Sequence, residues 1–262
     1  MSWLLYLLIG AFAGVLAGLF GVGGGAIIVP ILIFIFTLQG FAAESLVHLA
    51  VGTSFATIVI TSCSSIVAHH KLGNVNWSIF KSMLPGLALG VIACSVVAAG
   101  IEGGHLQLAI ASFLMLVSIQ MFFGLQSSTG IALPHPAVLA AGGGVIGGAS
   151  AFFGIGGGSL TVPFLSLCRQ PMKKAVATSA ACGLPIALFG AATYAVQGYS
   201  LDTLPAASTG YIYWPAFVGI ALASMPCARL GARLASRLPE STLKKSFALL
   251  LFLIAAQMFF NR

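Results

Sequence analysis

Residues 18–31 read GLFGVGGGAIIVPI, and residues 151–164 read AFFGIGGGSLTVPF. With an offset of 133, Phe20, Gly21, Gly23, Gly24, Gly25, Val29 and Pro30 fall on Phe153, Gly154, Gly156, Gly157, Gly158, Val162 and Pro163. Further matches follow in the same order. Ala50-Val51-Gly52-Thr53-Ser54 falls on Ala175-Val176-Ala177-Thr178-Ser179, Pro85 can be laid on Pro215, and Gln120-Met121-Phe122-Phe123 falls on Gln257-Met258-Phe259-Phe260. Recurrence that keeps its order along a chain marks a tandem duplication. The copies are expected over 1–124 and 137–262, joined by the linker LQSSTGIALPHP at 125–136.

The medium follows from composition. Of 262 residues, 59% are hydrophobic and 6% charged, where a soluble domain carries about a quarter charged residues. No Asp, Glu, Lys or Arg precedes Glu44, and none lies between Glu102 and Arg169. A soluble globular domain is excluded, and the lipid bilayer is the expected surrounding. A net charge of +7 would suggest nucleic acid in a soluble domain, but these cations are scattered through short loops, so no nucleic-acid partner is expected. The five cysteines are odd in number and show no CxxC spacing, which argues against a disulfide framework. Met1-Ser2-Trp3 lacks the basic stretch of a cleaved signal peptide, so the first apolar run is expected to remain in the protein.

Each copy contains the same series of apolar stretches, at 3–20, 26–38, 46–68, 77–99 and 106–124, then at 137–153, 159–168, 175–197, 211–228 and 244–261. Most suit a hydrocarbon core of about 30 Å. The arms that follow the glycine clusters do not: at about 1.5 Å per residue they reach only about 20 Å and 15 Å. Ten of the eleven cations (Lys71, Lys81, Arg169, Lys173, Lys174, Arg229, Arg233, Arg237, Lys244 and Lys245) fall in loops assigned to one side, expected to be cytoplasmic. Loops with Glu44, Glu102 and Asp202 hold no cation and are expected outside, with both termini. If each glycine-centred pair is a hairpin, every copy adds three further crossings, and an odd number inverts the second copy. The expected fold is therefore an all-α polytopic membrane protein with two inverted-topology repeats, each a glycine-centred helical hairpin plus three transmembrane helices.

Four glycines in five positions make a poor helix interior, and unwound backbone survives in a membrane only where protein or a cavity surrounds it. A tight turn between close helices would satisfy this. A helix starting near Gly25 or Gly158 also presents unpaired N–H groups and the positive end of its dipole, which bind anions without a cationic side chain. Two such ends meeting near mid-membrane would form one anion site. Candidate substrate-binding residues are Gly21, Gly23, Gly24, Gly25, Gly154, Gly156, Gly157 and Gly158. Pro30 and Pro163 either kink their arms or free the carbonyls of Ala26 and Ser159, so these four join the set. The recurring Thr53, Ser54, Thr178 and Ser179 either bond their own helices or line the pathway.

Other features carry less. Gly10, Gly14 and Gly18, with Gly86–Gly90 and Gly143–Gly147, have the spacing of close helix packing. Gly142, Gly144 and Gly147 match a dinucleotide fingerprint but follow no strand. His69 and His70 adjoin Lys71 and are expected in a solvated loop. No metal-ligand spacing, nucleophile–base constellation or cofactor motif occurs, so neither enzyme, metal nor cofactor is expected.

On the duplicated GLFGVGGGAIIVP and AFFGIGGGSLTVP, each followed by Ala-Val-x-Thr-Ser, the chain resembles the sulfite exporter TauE/SafE family of bacterial membrane permeases over nearly its whole length. The resemblance implies a bacterial inner-membrane location and export or uptake of sulfite, an organosulfonate or a related sulfur-containing anion. The glycines of both turns, with Pro30 and Pro163, are the positions onto which the family motif carries. The expected function is a secondary permease for a small anion, working by alternating access. A passive anion channel and a membrane-protein assembly factor are the alternatives. A proton or sodium ion as coupling partner is left open.

Overall fold

The structure, a computed structural model, describes residues 2–20, 24–123, 135–201, 203–235 and 240–260. Gly21 and Gly23 of the first glycine turn, Asp202, Arg237 and the linker before His135 lie outside the described residues. The helices are α1 (Ser2–Phe20), α2 (Gly25–Leu38), α3 (Ala43–Lys71), α4 (Trp77–Ala99), α5 (Gly103–Phe123), α6 (Pro136–Phe153), α7 (Gly158–Leu167), α8 (Met172–Gln197), α9 (Trp214–Ala235) and α10 (Glu240–Phe260). Each expected apolar run forms a helix, so the protein is an all-α polytopic membrane protein. Among the described residues, α3, α4, α5, α6 and α8 contain stretches long and apolar enough to cross a bilayer.

Helix ends depart from the apolar runs where polar residues continue the backbone. α3 extends to Lys71, which brings His69 inside its last turn at 5% exposure. The expectation of a solvated His69 is thereby corrected; His70 is exposed. The run expected to start a helix at 211 instead opens with a two-stranded hairpin, β1 (Ser208–Thr209) against β2 (Ile212–Tyr213). Ala207 (φ 67) and Gly210 (φ 53) turn the chain there before α9 begins.

The two short arms fold back on their predecessors. Gln39, just past α2, donates from Nε2 to the Tyr6 hydroxyl at the start of α1 (2.9 Å). Late in α7, the Phe164 ring lies against Gly142, early in α6. Both pairs are thus hairpins, returning the chain to the side it left.

α3 and α8 occupy the centre and run antiparallel. Phe55 packs on Gly190 and Tyr194, and one turn pair further along α3, Ser62 meets Gly183. Around them, α1 packs along α9 and α6 along α4. The approach is close because glycines supply it. A Cβ on Gly10 would sit 2.8 Å from the Ile220 Cα, and one on Gly14 would sit 2.6 Å from the Ser224 Cα. On the other pair, a Cβ on Gly143 would meet the Met83 carbonyl at 2.6 Å and one on Gly147 the Leu87 carbonyl at 2.5 Å.

These contacts correspond residue by residue. Gly143 and Gly147 follow Gly10 and Gly14 by the 133 of the glycine turns, whereas Ile220 and Ser224 follow Met83 and Leu87 by 137. The latter register lays Trp214 on Trp77 and Pro215 on Ser78. The pairing of Pro85 with Pro215 therefore does not hold: Pro215 opens α9, where proline suits the first turn, while Pro85 lies in the interior of α4.

Candidate functional site

The glycine turns are shaped by backbone conformations that only glycine adopts cheaply. Gly24 precedes α2 with φ 81, Gly154 ends α6 with φ 63, and Gly157 precedes α7 with φ 71. Helices therefore start at Gly25 and Gly158, where the sequence places them. A glycine cap has no side chain to offer the first N–H groups, and neither helix start has a side-chain cap. The first backbone bonds made by these ends come from Ile27 and Ile28 to the Gly24 carbonyl, and from Leu160 and Thr161 to the Gly157 carbonyl. That leaves the N–H groups of Gly25, Ala26, Gly158 and Ser159 without a hydrogen-bond partner among the described residues.

The start of α2 rests on the second turn. A Cβ on Gly25 would run into the Gly154 carbonyl oxygen and lie 2.9 Å from the Ile155 Cα. Val29 and Val51 close over Gly154, and Ser54 of α3 donates to the Gly154 carbonyl (2.9 Å). From the other side, Gly183 lets α8 approach the Gly156 carbonyl, which lies 2.8 Å from where its Cβ would be, with the Ser62 hydroxyl at 3.2 Å. Two hairpins from distant parts of the sequence thus share one buried contact, bracketed by the two central helices.

Hydroxyls crowd this contact unequally. Ser62 (2% exposed), Ser159 (8%) and Thr161 (0%) carry side-chain oxygens with no partner among the described residues. Thr161 Oγ1 lies beside Gly157, 3.5 Å from the point a Cβ would occupy. Buried polar atoms are ordinarily paired, so three without partners around the second turn mark it as an unsatisfied polar spot in an apolar interior. Ser150 nearby is satisfied by the Ile146 carbonyl (2.7 Å).

The remaining sequence candidates divide by what they touch. Thr53 Oγ1 accepts from the Tyr213 N–H, and Thr178 Oγ1 from the Asn76 N–H, both at 3.0 Å. Each ties a central helix to the residue just before the tryptophan that begins α9 or α4. Ser179 is fully buried. α2 and α7 continue through Pro30 and Pro163, and Pro30 borders a groove of about 320 Å³ with Thr37, Gln107, Gln257 and Met258, apart from the turns. Among the described residues, no three His, Cys, Asp or Glu side chains gather as metal ligands.

The repeat does not single out Ser62 and Thr161. Their counterparts in the other copy are Ala187 and Ile28, so nothing recurs to draw attention to them. Ser159 entered only through its carbonyl, opposite Ala26, although its hydroxyl is the unusual atom.

The model of the sulfite exporter TauE/SafE family matches residues 6–258. A probable membrane transporter protein of Haemophilus influenzae is 40% identical over 98% of this chain and 97% of its own length. One of Methanocaldococcus jannaschii is 31% identical over 84% of this chain and 79% of its own. Another, of Bacillus subtilis, is 25% identical over 100% of this chain and 98% of its own. No solved structure matches the chain. With paired glycine turns buried at the centre of an apolar helical bundle, the chain belongs to the sulfite exporter TauE/SafE family and is a membrane transporter.

Proposed function

We propose that the protein moves a small sulfur-containing anion, sulfite or an organosulfonate, by alternating access around the contact between its two glycine turns. The observation that carries this reading is the seating of Gly25 on Gly154 and Ile155, which brings one helix start with open N–H groups onto the turn that leads to another. The dipole of each short arm favours negative charge at that point, and a sulfonate or sulfite oxygen needs donors rather than a countercharge there. The N–H groups of Gly25, Ala26, Gly158 and Ser159 are donors of this kind, and the hydroxyls of Ser62, Ser159 and Thr161 add three more. Ser54 holds the Gly154 carbonyl, while Thr53 and Thr178 brace the walls.

Alternating access suits two halves related by inversion. The antiparallel run of α3 and α8 and the reciprocal packing of α1 on α9 and α6 on α4 support that relation. The cation-rich ends of α3 and α9 then face the cytoplasm.

Removal of the partnerless hydroxyls is the test, because it leaves no protein group newly unpaired. In Ser159→Ala and Thr161→Val, thermal stability is expected to stay within about 1 kcal/mol of the parent. Sulfite affinity by titration calorimetry is expected to fall about tenfold for each, or about 1.4 kcal/mol, with saturable sulfite flux in proteoliposomes reduced alongside. Unchanged affinity in both variants would remove the anion from the second turn.

A further inference from the structure

From Ser62, the hydroxyl of α3 already placed at the binding contact, buried polar groups continue along α3 away from the turn. Ser62, Ser65 and His69 follow one another at steps of three and four residues and so share one face of the helix. They are 2%, 3% and 5% exposed. The Ser62 and Ser65 hydroxyls and both ring nitrogens of His69 have no hydrogen-bond partner among the described residues. The Gly18 carbonyl of α1 faces the His69 ring, but no bond closes to either nitrogen. Neighbouring side chains on other faces of α3 are engaged: Ser64 donates to the Met225 carbonyl of α9 (2.8 Å), and Thr61 to carbonyls of its own helix. The unsatisfied face begins beside Gly156 and Gly183 at the second turn and ends at the exposed Lys71.

Such a face is costly in a dry interior, since each unpaired group forfeits its hydration. Water restores it where the surroundings are polar enough to offer two or more partners, and a histidine within a membrane helix belongs where water or substrate passes. We propose that Ser62, Ser65 and His69 line a file of water from the second glycine turn to the Lys71 end of α3, and that this file is the route by which the anion reaches or leaves its site on that side. The water file stands on the orphaned side chains; the anion's use of it rests on the transport reading above.

Charged methanethiosulfonate labelling separates the two claims. Ser62→Cys, Ser65→Cys and Val67→Cys are compared in sealed vesicles with the parent chain, whose five cysteines set the background. Leu72→Cys marks the Lys71 face. Val67 is exposed on a different face of α3 and meets lipid rather than the file. Labelling of the two serine positions from the Lys71 face alone, at least ten times faster than background and than Val67→Cys, is expected. Labelling at background rate, or from the opposite face, overturns the proposal.

Should those variants fail to elute as monodisperse protein, radiolytic hydroxyl-radical footprinting of the unaltered chain decides. Water beside His69 makes it oxidise within about a factor of three of the exposed His70, because radicals form in the bound water itself; protection tenfold below His70 overturns the file. Added sulfite should slow labelling at Ser62→Cys. One-sided labelling indifferent to sulfite upholds the water file and removes the anion from it.

Discussion

The two ends of the α3–α8 pair share a plan and are finished differently. At one end Thr53 accepts from the Tyr213 N–H, at the other Thr178 accepts from the Asn76 N–H, each at 3.0 Å and each one residue before a helix-opening tryptophan. Trp214 donates to Thr209 (2.9 Å) and Trp77 to His70 (3.4 Å). Over the Thr53 end, however, the β1–β2 hairpin presses down: the Tyr211 N–H donates to the Tyr194 carbonyl (3.3 Å), and the Tyr211 ring lies 5.2 Å from that of His48. Phe36 and Phe41 flank Tyr213 at 5.6 and 5.3 Å, and the hydroxyls of Ser45, Thr53, Ser54 and Thr57 are bonded, while the Ser208 hydroxyl and His48 Nδ1 have no partner among the described residues. At the Thr178 end residues 72–76 connect the helices directly, and Ser62, Ser65 and His69 have no partner among the described residues. The duplicated residues make the tie at both ends, whereas residues that do not recur cover one end with a hairpin and leave a short connection at the other. Under the alternating access proposed above, one seal must hold while the other yields, and the hairpin would make the end nearer Glu44 the one that holds.

The largest effect should follow from wedging that seal apart. Gly52 is pressed by the Tyr211 carbonyl, whose carbon lies 3.0 Å from where a Cβ would stand, and backbone on both sides leaves little room to yield. Its counterpart, with no hairpin above it, is Ala177. Gly52→Val is expected to cost about 3 kcal/mol by overpacking, while Ala177→Gly should cost about 1 kcal/mol through helix propensity. Thermal unfolding in detergent compares them. Equal losses would mean that the hairpin bears no more tightly on α3 than the short connection does on α8.

The ties themselves should respond alike. Thr53→Val and Thr178→Val each strip the acceptor from a half-buried N–H, and about 1 kcal/mol of stability is expected to go in either case. Sharpening comes from access. Loosening Thr53 should raise labelling of Ser62→Cys from the Glu44 face, and loosening Thr178 should not. If Thr53→Val proved more than about 2 kcal/mol worse than Thr178→Val, beyond the usual worth of one such bond, the tie would owe its strength to the hairpin and not to the repeated threonine.

Much of the fold was legible because it rests on length and periodicity. Among the described residues each of the ten apolar runs holds a helix, the glycine spacings at 10–14, 86–90 and 143–147 became close crossings, and the helix starts fell at Gly25 and Gly158. Less of the site could be read. A threonine repeated in both halves looks like a binding residue, but only the fold reveals that a backbone N–H from a connection far along the chain reaches it. The hairpin left no periodic signal in residues 208–213, where positive φ values at Ala207 and Gly210 bend the chain. Ser62, Ser65 and His69 had helical spacing in plain view. They went unread because His69 beside Lys71 suggests a solvated loop, and only burial without partners sets them apart.

The smallest expected effect is the one that isolates the unrepeated residues. Ser62 and Ala187 are counterparts on the two central helices, both buried, one with an unpaired hydroxyl and the other with a methyl group. If Ser62 is met by water, Ser62→Ala exchanges one solvated group for a small apolar one and should change stability by less than about 1 kcal/mol. Ala187→Ser places a hydroxyl deep in α8, where it can turn back to a carbonyl of its own helix, and should cost about 1 kcal/mol at most. Stability therefore barely distinguishes them, and labelling has to. With both changes combined, reagent access to Ser65→Cys from the Lys71 face should persist, because position 65 is reached before the altered step beside the turn, while the Glu44 end stays closed under its hairpin. If the exchange instead opened the Glu44 end, a single hydroxyl would outweigh the hairpin and its aromatic neighbours, and the seal would have to be sought in the polarity of α3 and α8 alone.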